Sequence, residues 1–251
     1  MEAGESEDGD IRHGGGVHKM AAAKKVELVG LAILKRYWRL EYPEGNIEDV
    51  HDRPDYFQKG IDLVLSTPRE GKSKTVDAKV DTYIGTDPTR KIKGLCNPNS
   101  GFILMETISQ LQFDRGKKDA PGWFYTSEAD EIHYYYIALL NDARELAPYF
   151  IRLKDAAGSE RSVDMIEDEL IRILRVDQDL LVVYDLEEAR EWLGRFSRNR
   201  TLSYSGAVNP TYVTVSVRVD RNTFCSQGPG RMKGPIFERV RRSSNTLGVP
   251  F

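Results

Sequence analysis

Two acids and one lysine stand where they can serve phosphoryl chemistry: Asp62 in Gly60-Ile61-Asp62-Leu63-Val64-Leu65, and Asp77 and Lys79 in Thr75-Val76-Asp77-Ala78-Lys79-Val80. Both segments are rich in Val, Ile and Leu, and the polar stretch between them, Ser66 to Lys74, carries Pro68 and Gly71, so together they predict a β-hairpin. Side chains alternate along a strand, which puts Asp77 and Lys79 on one face and Val76, Ala78 and Val80 on the other. Asp62 leaves the apolar row Ile61, Leu63, Leu65, so matching polar faces bring the three groups together. Carboxylate oxygens are hard ligands suited to Mg²⁺ or Mn²⁺, and a metal so held lowers the pKa of bound water and neutralises charge on a phosphate. A lysine beside them can orient or help deprotonate the water and stabilise the charged transition state. Phosphodiester hydrolysis uses this set. An isolated D-x-K tripeptide is also a common surface pattern, so the elements around it matter.

Upstream, Val26, Val29, Ile33 and Tyr37, with the neighbouring row Leu28, Leu31, Leu34 and Trp38, have helical spacing from Ala21 to Leu40, and Tyr42-Pro43-Glu44-Gly45 ends the helix. Glu27 lies four residues before Leu31 and seven before Leu34, at the N-terminal end of the stripe that packs on the sheet. It either faces the site or is a first-turn glutamate favoured by the helix dipole. After the hairpin, Asp81 to Asn99 predicts a long loop, and Phe102 to Ile108 a third strand of the sheet. Glu106, on the Leu104 row, is a ligand, a residue behind a ligand or an edge charge. Ile132 to Leu140 and Ala147 to Leu153 predict further strands. The tyrosine run in the first reads as core rather than a base-stacking surface, and His133 has no neighbouring His or Cys to make a zinc site. Ile166, Leu170, Ile173 and Leu174 mark a helix, Leu180 to Tyr184 a strand, and Asp185-Leu186-Glu187-Glu188 caps a helix with Ala189, Trp192, Leu193 and Phe196 inward. Tyr212 to Val219 alternates as an amphipathic strand. The fold class is α/β, a central mixed sheet flanked by helices.

The 251 residues suit one domain with extensions: residues 1–20 as a disordered leader, 21–225 as the domain, and 226–251 as a flexible basic tail. Gln227 to Gly234 looks like a phosphate loop, but the spacing of such a loop is missing. A net charge of −3 supplies no global basic field. Local clusters at Arg115-Gly116-Lys117-Lys118, Arg90-Lys91-Ile92-Lys93 and Arg239-Val240-Arg241-Arg242 are where a polyanion would be met. Two cysteines, Cys96 and Cys225, give neither a zinc knuckle nor a disulfide framework. With no signal peptide or spanning segment, a soluble cytoplasmic protein is expected.

The Gly-Ile-Asp strand, the hairpin spacing and the upstream helix together make the chain resemble the PD-(D/E)XK nuclease superfamily, which has the restriction-endonuclease-like fold. Asp62 matches its first acid and Asp77-Ala78-Lys79 its (D/E)-x-K tripeptide. The resemblance covers roughly residues 24–152. Gln58-Lys59-Gly60-Ile61-Asp62, Glu106-Thr107-Ile108-Ser109 and the segment Pro121 to Asp130 look like parts of small phage and restriction-associated members. The motif's proline is absent, Ile61 standing in its place. The resemblance implies a restriction-endonuclease-like core and metal-dependent hydrolysis of phosphodiesters, with Mg²⁺ or Mn²⁺ held by Asp62, Asp77, the Ala78 carbonyl and Glu27. Lys79 would act on water, and Gln58 or Glu106 would position water, metal or substrate. The polymer partner would be DNA, with RNA the alternative and a homodimer left open, in a host cytoplasm if the source is viral. The rival expectation is a non-catalytic nucleic-acid-binding or assembly protein that keeps the fold.

Overall fold

The apolar rows read above close against two sheets rather than one. The computed structural model describes residues 20–67, 71–84, 101–114, 116–141, 143–156, 159–199, 201–208 and 212–246. Residues 1–19, Arg115 and residues 85–100, which hold most of the expected leader and loop, the Arg90 to Lys93 cluster and Cys96, lie outside the described residues.

In chain order the elements are α1 (Met20–Glu41), β1 (Asn46–Asp49), α2 (Pro54–Phe57), β2 (Leu63–Thr67), β3 (Lys72–Ile84), β4 (Phe102–Gln112) and β5 (Ala120–Pro121). Next come α3 (Trp123–Thr126), β6 (Glu131–Leu139), α4 (Ala143–Asp155), α5 (Glu160–Ile173), β7 (Val176–Asp185) and α6 (Leu186–Asn199). The chain continues through β8 (Ser203–Val208), β9 (Tyr212–Asp220), α7 (Arg221–Gln227), β10 (Arg231–Gly234) and α8 (Phe237–Thr246).

The central sheet runs β1-β2-β3-β6-β7-β10 and is mixed: β3 and β6 are parallel, and the other neighbours are antiparallel. The predicted hairpin is β2 with β3, Leu63 facing Val76 and Leu65 facing Lys74. β6 is buried on both faces, which is why its run of tyrosines is core. Its odd-numbered residues Tyr135, Ile137 and Leu139 pack with α1, α4, α5 and α8 on one side of the sheet. Ile132, Tyr134 and Tyr136 pack on the other side with β4, β9, α6 and α7. Each fully buried side chain of this size contributes roughly 1.5–3 kcal/mol of transfer free energy.

Three expectations are corrected. Phe102 to Ile108 is not a strand of the central sheet; as β4 it belongs to a second, antiparallel sheet ordered β5-β4-β9-β8. Strand character was legible there, but the pairing with β9 is long-range and leaves no local signal. Ala147 to Leu153 is not a strand but part of α4, with Pro148 inside it. Leu146, Phe150 and Leu153 are buried at helical intervals while Ile151 is exposed, a period hidden within an apolar run. Residues 226–246 are not a flexible tail: β10 extends the central sheet beside β7, and Ile236, Phe237 and Val240 enter the core. The Asp179 carboxylate accepts from the Ile236 and Phe237 N–H groups at 2.7 and 3.0 Å, anchoring the start of α8.

Parallel strands cannot be joined by a tight turn, so the chain must cross over between β3 and β6. That crossover contains β4, β5 and α3. It carries Glu106 and Trp123 to the face of β3 that bears Asp77 and Lys79.

Candidate functional site

Asp62 sits immediately before β2, where the hairpin begins to part. Its N–H donates to the Val76 carbonyl at 2.8 Å, while its side-chain Oδ2 accepts from the Ala78 N–H at 2.7 Å. The carboxylate thus takes a bond that a strand residue's main chain would otherwise accept, and is fixed beside β3. Gly60, two residues earlier, has φ +64, a left-handed turn suited to glycine. The Ser127 hydroxyl donates to the Gly60 carbonyl at 3.2 Å and ties this turn to the crossover.

Asp77 is 1% exposed, and its Oδ1 meets the Lys79 ammonium at 2.6 Å. Its other oxygen, Oδ2, is buried with no hydrogen-bond partner among the described residues. Lys79 keeps 28% of its side chain exposed, and its Nζ lies 4.9 Å from the centre of the Trp123 ring. The aromatic face adds a favourable contact for the ammonium.

Two more carboxylates act on this group from other elements. Glu27 of α1 raises the proton affinity of both Asp62 and Lys79 through space. Its position at the end of the α1 stripe therefore brings it within the site's field. Glu106 of β4 accepts from the Trp123 N–H and feels Lys79 and Asp77; burial nonetheless keeps its pKa above the ordinary value. A Cβ on Gly122 would lie 2.2 Å from the Glu106 carbonyl oxygen and 2.8 Å from its Cγ, so only glycine allows this approach. Trp123 was not singled out from the sequence; its signal was the Gly122-Trp123 step in a segment already quoted for its resemblance.

Four carboxylates thus surround one ammonium. Burial and the neighbouring Asp77 push the Asp62 pKa up to about 7, against the pull of Lys79 and the Ala78 N–H. Burial works to lower the Lys79 pKa, but the fields of Asp77 and Asp62 outweigh it and keep the ammonium charged. An under-compensated carboxylate pair with an orphaned buried oxygen fits a hard cation. Among the described residues no three Asp, Glu, His or Cys side chains form a ready-made metal cage. A cation here would be held by the Asp62 and Asp77 pair with main-chain oxygen and water, a ligand set usual for Mg²⁺.

The remaining candidates are placed differently. Gln58 is exposed at the end of α2, its N–H bonded to the Pro54 carbonyl, and among the described residues no bond ties its side chain to the acids. His133 is fully buried, its Nδ1 accepting from the Trp38 indole N–H at 3.0 Å. Arg239 and Arg241 are paired with Glu41 and Glu238, so that basic cluster is partly neutralised on α8. Lys117 and Lys118 are exposed.

A second set of buried charges lies where α1, β1 and α5 meet. Lys35 is 3% exposed and bonds both the Asp49 carboxylate, at 2.7 Å, and Glu167. His51 closes the other side of Asp49, Nδ1 to Oδ1 at 2.6 Å, and its Nε2 reaches Asp52 at 3.1 Å.

Compared with protein-family models, curated proteins and solved structures, the chain matches none. Among the described residues no helix is long and apolar enough to cross a membrane.

Proposed function

We propose that the protein is a metal-dependent nuclease with a restriction-endonuclease-like core, hydrolysing phosphodiester bonds in DNA. The observation that carries this reading is the state of Asp77: buried, one oxygen on Lys79, the other without a partner among the described residues, and its charge close enough to Asp62 to raise that carboxylate's proton affinity.

In this reading Asp62 and Asp77, with the Ala78 carbonyl, hold Mg²⁺ or Mn²⁺. When bound, the cation would lower the pKa of a water and neutralise phosphate charge. Lys79, kept charged and steadied against the Trp123 ring, would donate to a water or offset charge on the phosphate rather than serve as a base. Glu106, its carboxylate held by the Trp123 N–H, positions water or substrate, and Glu27 adds to the negative field that draws the cation in.

The test is incubation with supercoiled, linear and single-stranded DNA in Mg²⁺, Mn²⁺ or EDTA, for the wild type and Lys79→Ala. The expected result is metal-dependent cutting by the wild type, and DNA binding without turnover by the variant. The closed Lys79–Asp77 pair favours a second reading, a nucleic-acid-binding protein without turnover. Metal-independent binding with no cleavage under any condition would select it.

A further inference from the structure

Three tyrosines line the seam between the two sheets, and two of them are tied down. The Tyr136 hydroxyl donates to the Phe102 carbonyl at 2.5 Å, and the Tyr134 oxygen is met by the main chain at Leu104. Tyr184 is fully buried, yet its hydroxyl has no hydrogen-bond partner among the described residues. Asp77 Oδ2 is in the same condition.

The strand register relates these two atoms. Asp77 faces Ile132 across β3 and β6, and Ile132 faces Tyr184 across β6 and β7. The three residues form one cross-strand row, and Ile132 and Tyr184 share the core on the Asp77 side of the sheet. Two strand spacings separate Asp77 and Tyr184 by roughly 10 Å at the backbone. Their side chains stand on the same face of the sheet, and Tyr184 lies in the electrostatic field of Asp77. Burying a donor or an acceptor without a partner costs free energy, and one ordered water can relieve two such groups at once.

We infer that Tyr184 is a positioning residue for Asp77. Its hydroxyl donates to a buried bridging water, and that water donates to one lone pair of Asp77 Oδ2, leaving the other for a cation. The bridge fixes the rotation of the Asp77 carboxylate that the 2.6 Å contact with Lys79 holds from the other side. The metal-binding consequence rests on the nuclease reading; the bridge itself does not.

Tyr184→Phe removes only the hydroxyl and keeps the ring, whose edge-to-face contact with Phe224 has a centroid distance of 5.0 Å. Melting temperatures without metal are to be compared for the native chain, Tyr184→Phe, Asp77→Ala and the double variant. If the bridge exists, Tyr184→Phe lowers the Tm by about 2–4 °C in the native background and has no effect once Asp77 is gone. A rise in Tm in both backgrounds marks a mere orphan hydroxyl and overturns the inference. Mn²⁺ titration of the native chain and Tyr184→Phe then reads the second step. About tenfold weaker binding supports positioning, and unchanged affinity overturns it. A native chain that binds no Mn²⁺ removes the nuclease reading instead, and the melts alone then decide the bridge.

Discussion

Around Lys35, Asp49 and Glu167 close onto one ammonium and His51 adds a second partner for Asp49, whereas around Lys79 four carboxylates share a single ammonium. One acid from each set, Asp49 and Asp62, responds oppositely, while Glu167 beside Lys35 is raised by burial as Asp62 is. Burial works to raise the Asp49 pKa, but His51 and Lys35 hold it well below the carboxylate range. Burial raises the Asp62 pKa too, and there Asp77 adds to the rise and Lys79 cannot reverse it. Lys35 and His51 supply the counter-charges of Asp49, whereas the carboxylates around Lys79 outnumber the ammonium and the excess raises the proton affinity of Asp62.

The sharpest way to break this comparison is at the two lysines. Lys79→Ala is expected to lower the cleavage rate by about 10²–10³-fold in a metal-dependent DNA nicking assay, since it removes the charge facing the reacting phosphate. The variant also leaves the buried Asp77 carboxylate without its counter-charge, so the rate is to be read per folded molecule. Lys35→Met should touch stability alone. It strands the Asp49 and Glu167 carboxylates in the interior at a cost of about 3–5 kcal/mol, read by urea unfolding at pH 7, with the cleavage rate per folded molecule unchanged.

Stability against pH sharpens the same contrast. The unfolded Asp62 carboxylate releases its proton near the ordinary value and the folded one near 7. Between those values the native state binds more protons, so this group's contribution to stability falls as pH rises. Asp49 runs the other way: its contribution is complete above the ordinary carboxylate value and is lost as pH falls through the lower folded value. Thermal melts from pH 5 to 8 should show Asp62→Asn flattening the decline toward pH 8, and Mg²⁺ flattening it in the native chain. A pH dependence identical in Asp62→Asn and the native chain would contradict the crowded-carboxylate account. Smaller effects are expected further out. Glu106→Gln should slow cleavage by about tenfold. Gln58→Ala, a change at an exposed helix end, should leave the cleavage rate within about twofold.

What the sequence disclosed follows the range of the forces involved. The hairpin, α1 and the Asp185 cap rest on local periodicity and turn chemistry, and all three are present; the Asp185 carboxylate accepts from the Glu188 N–H at 2.8 Å. The convergence of Asp62 with Asp77 and Lys79 was legible because a hairpin register is fixed by its own residues. Glu106 was visible as a charge on a strand, but its approach to Lys79 depends on a crossover and on Gly122, which no local pattern encodes. Trp123 and Tyr184 were not singled out in the sequence. What sets them apart is an ammonium over the ring of one and a buried hydroxyl with no partner among the described residues on the other.

The pairing of β4 with β9 has a bearing on biosynthesis. The strand bearing Glu106 is secured by residues 212–220, more than a hundred positions downstream. A ribosome that has released only the stretch through Arg152 has already made both aspartates, the lysine and the tryptophan, yet has not supplied the strand that clamps the fourth acid in place. Translation must therefore pass Asp220 before the acidic centre is whole.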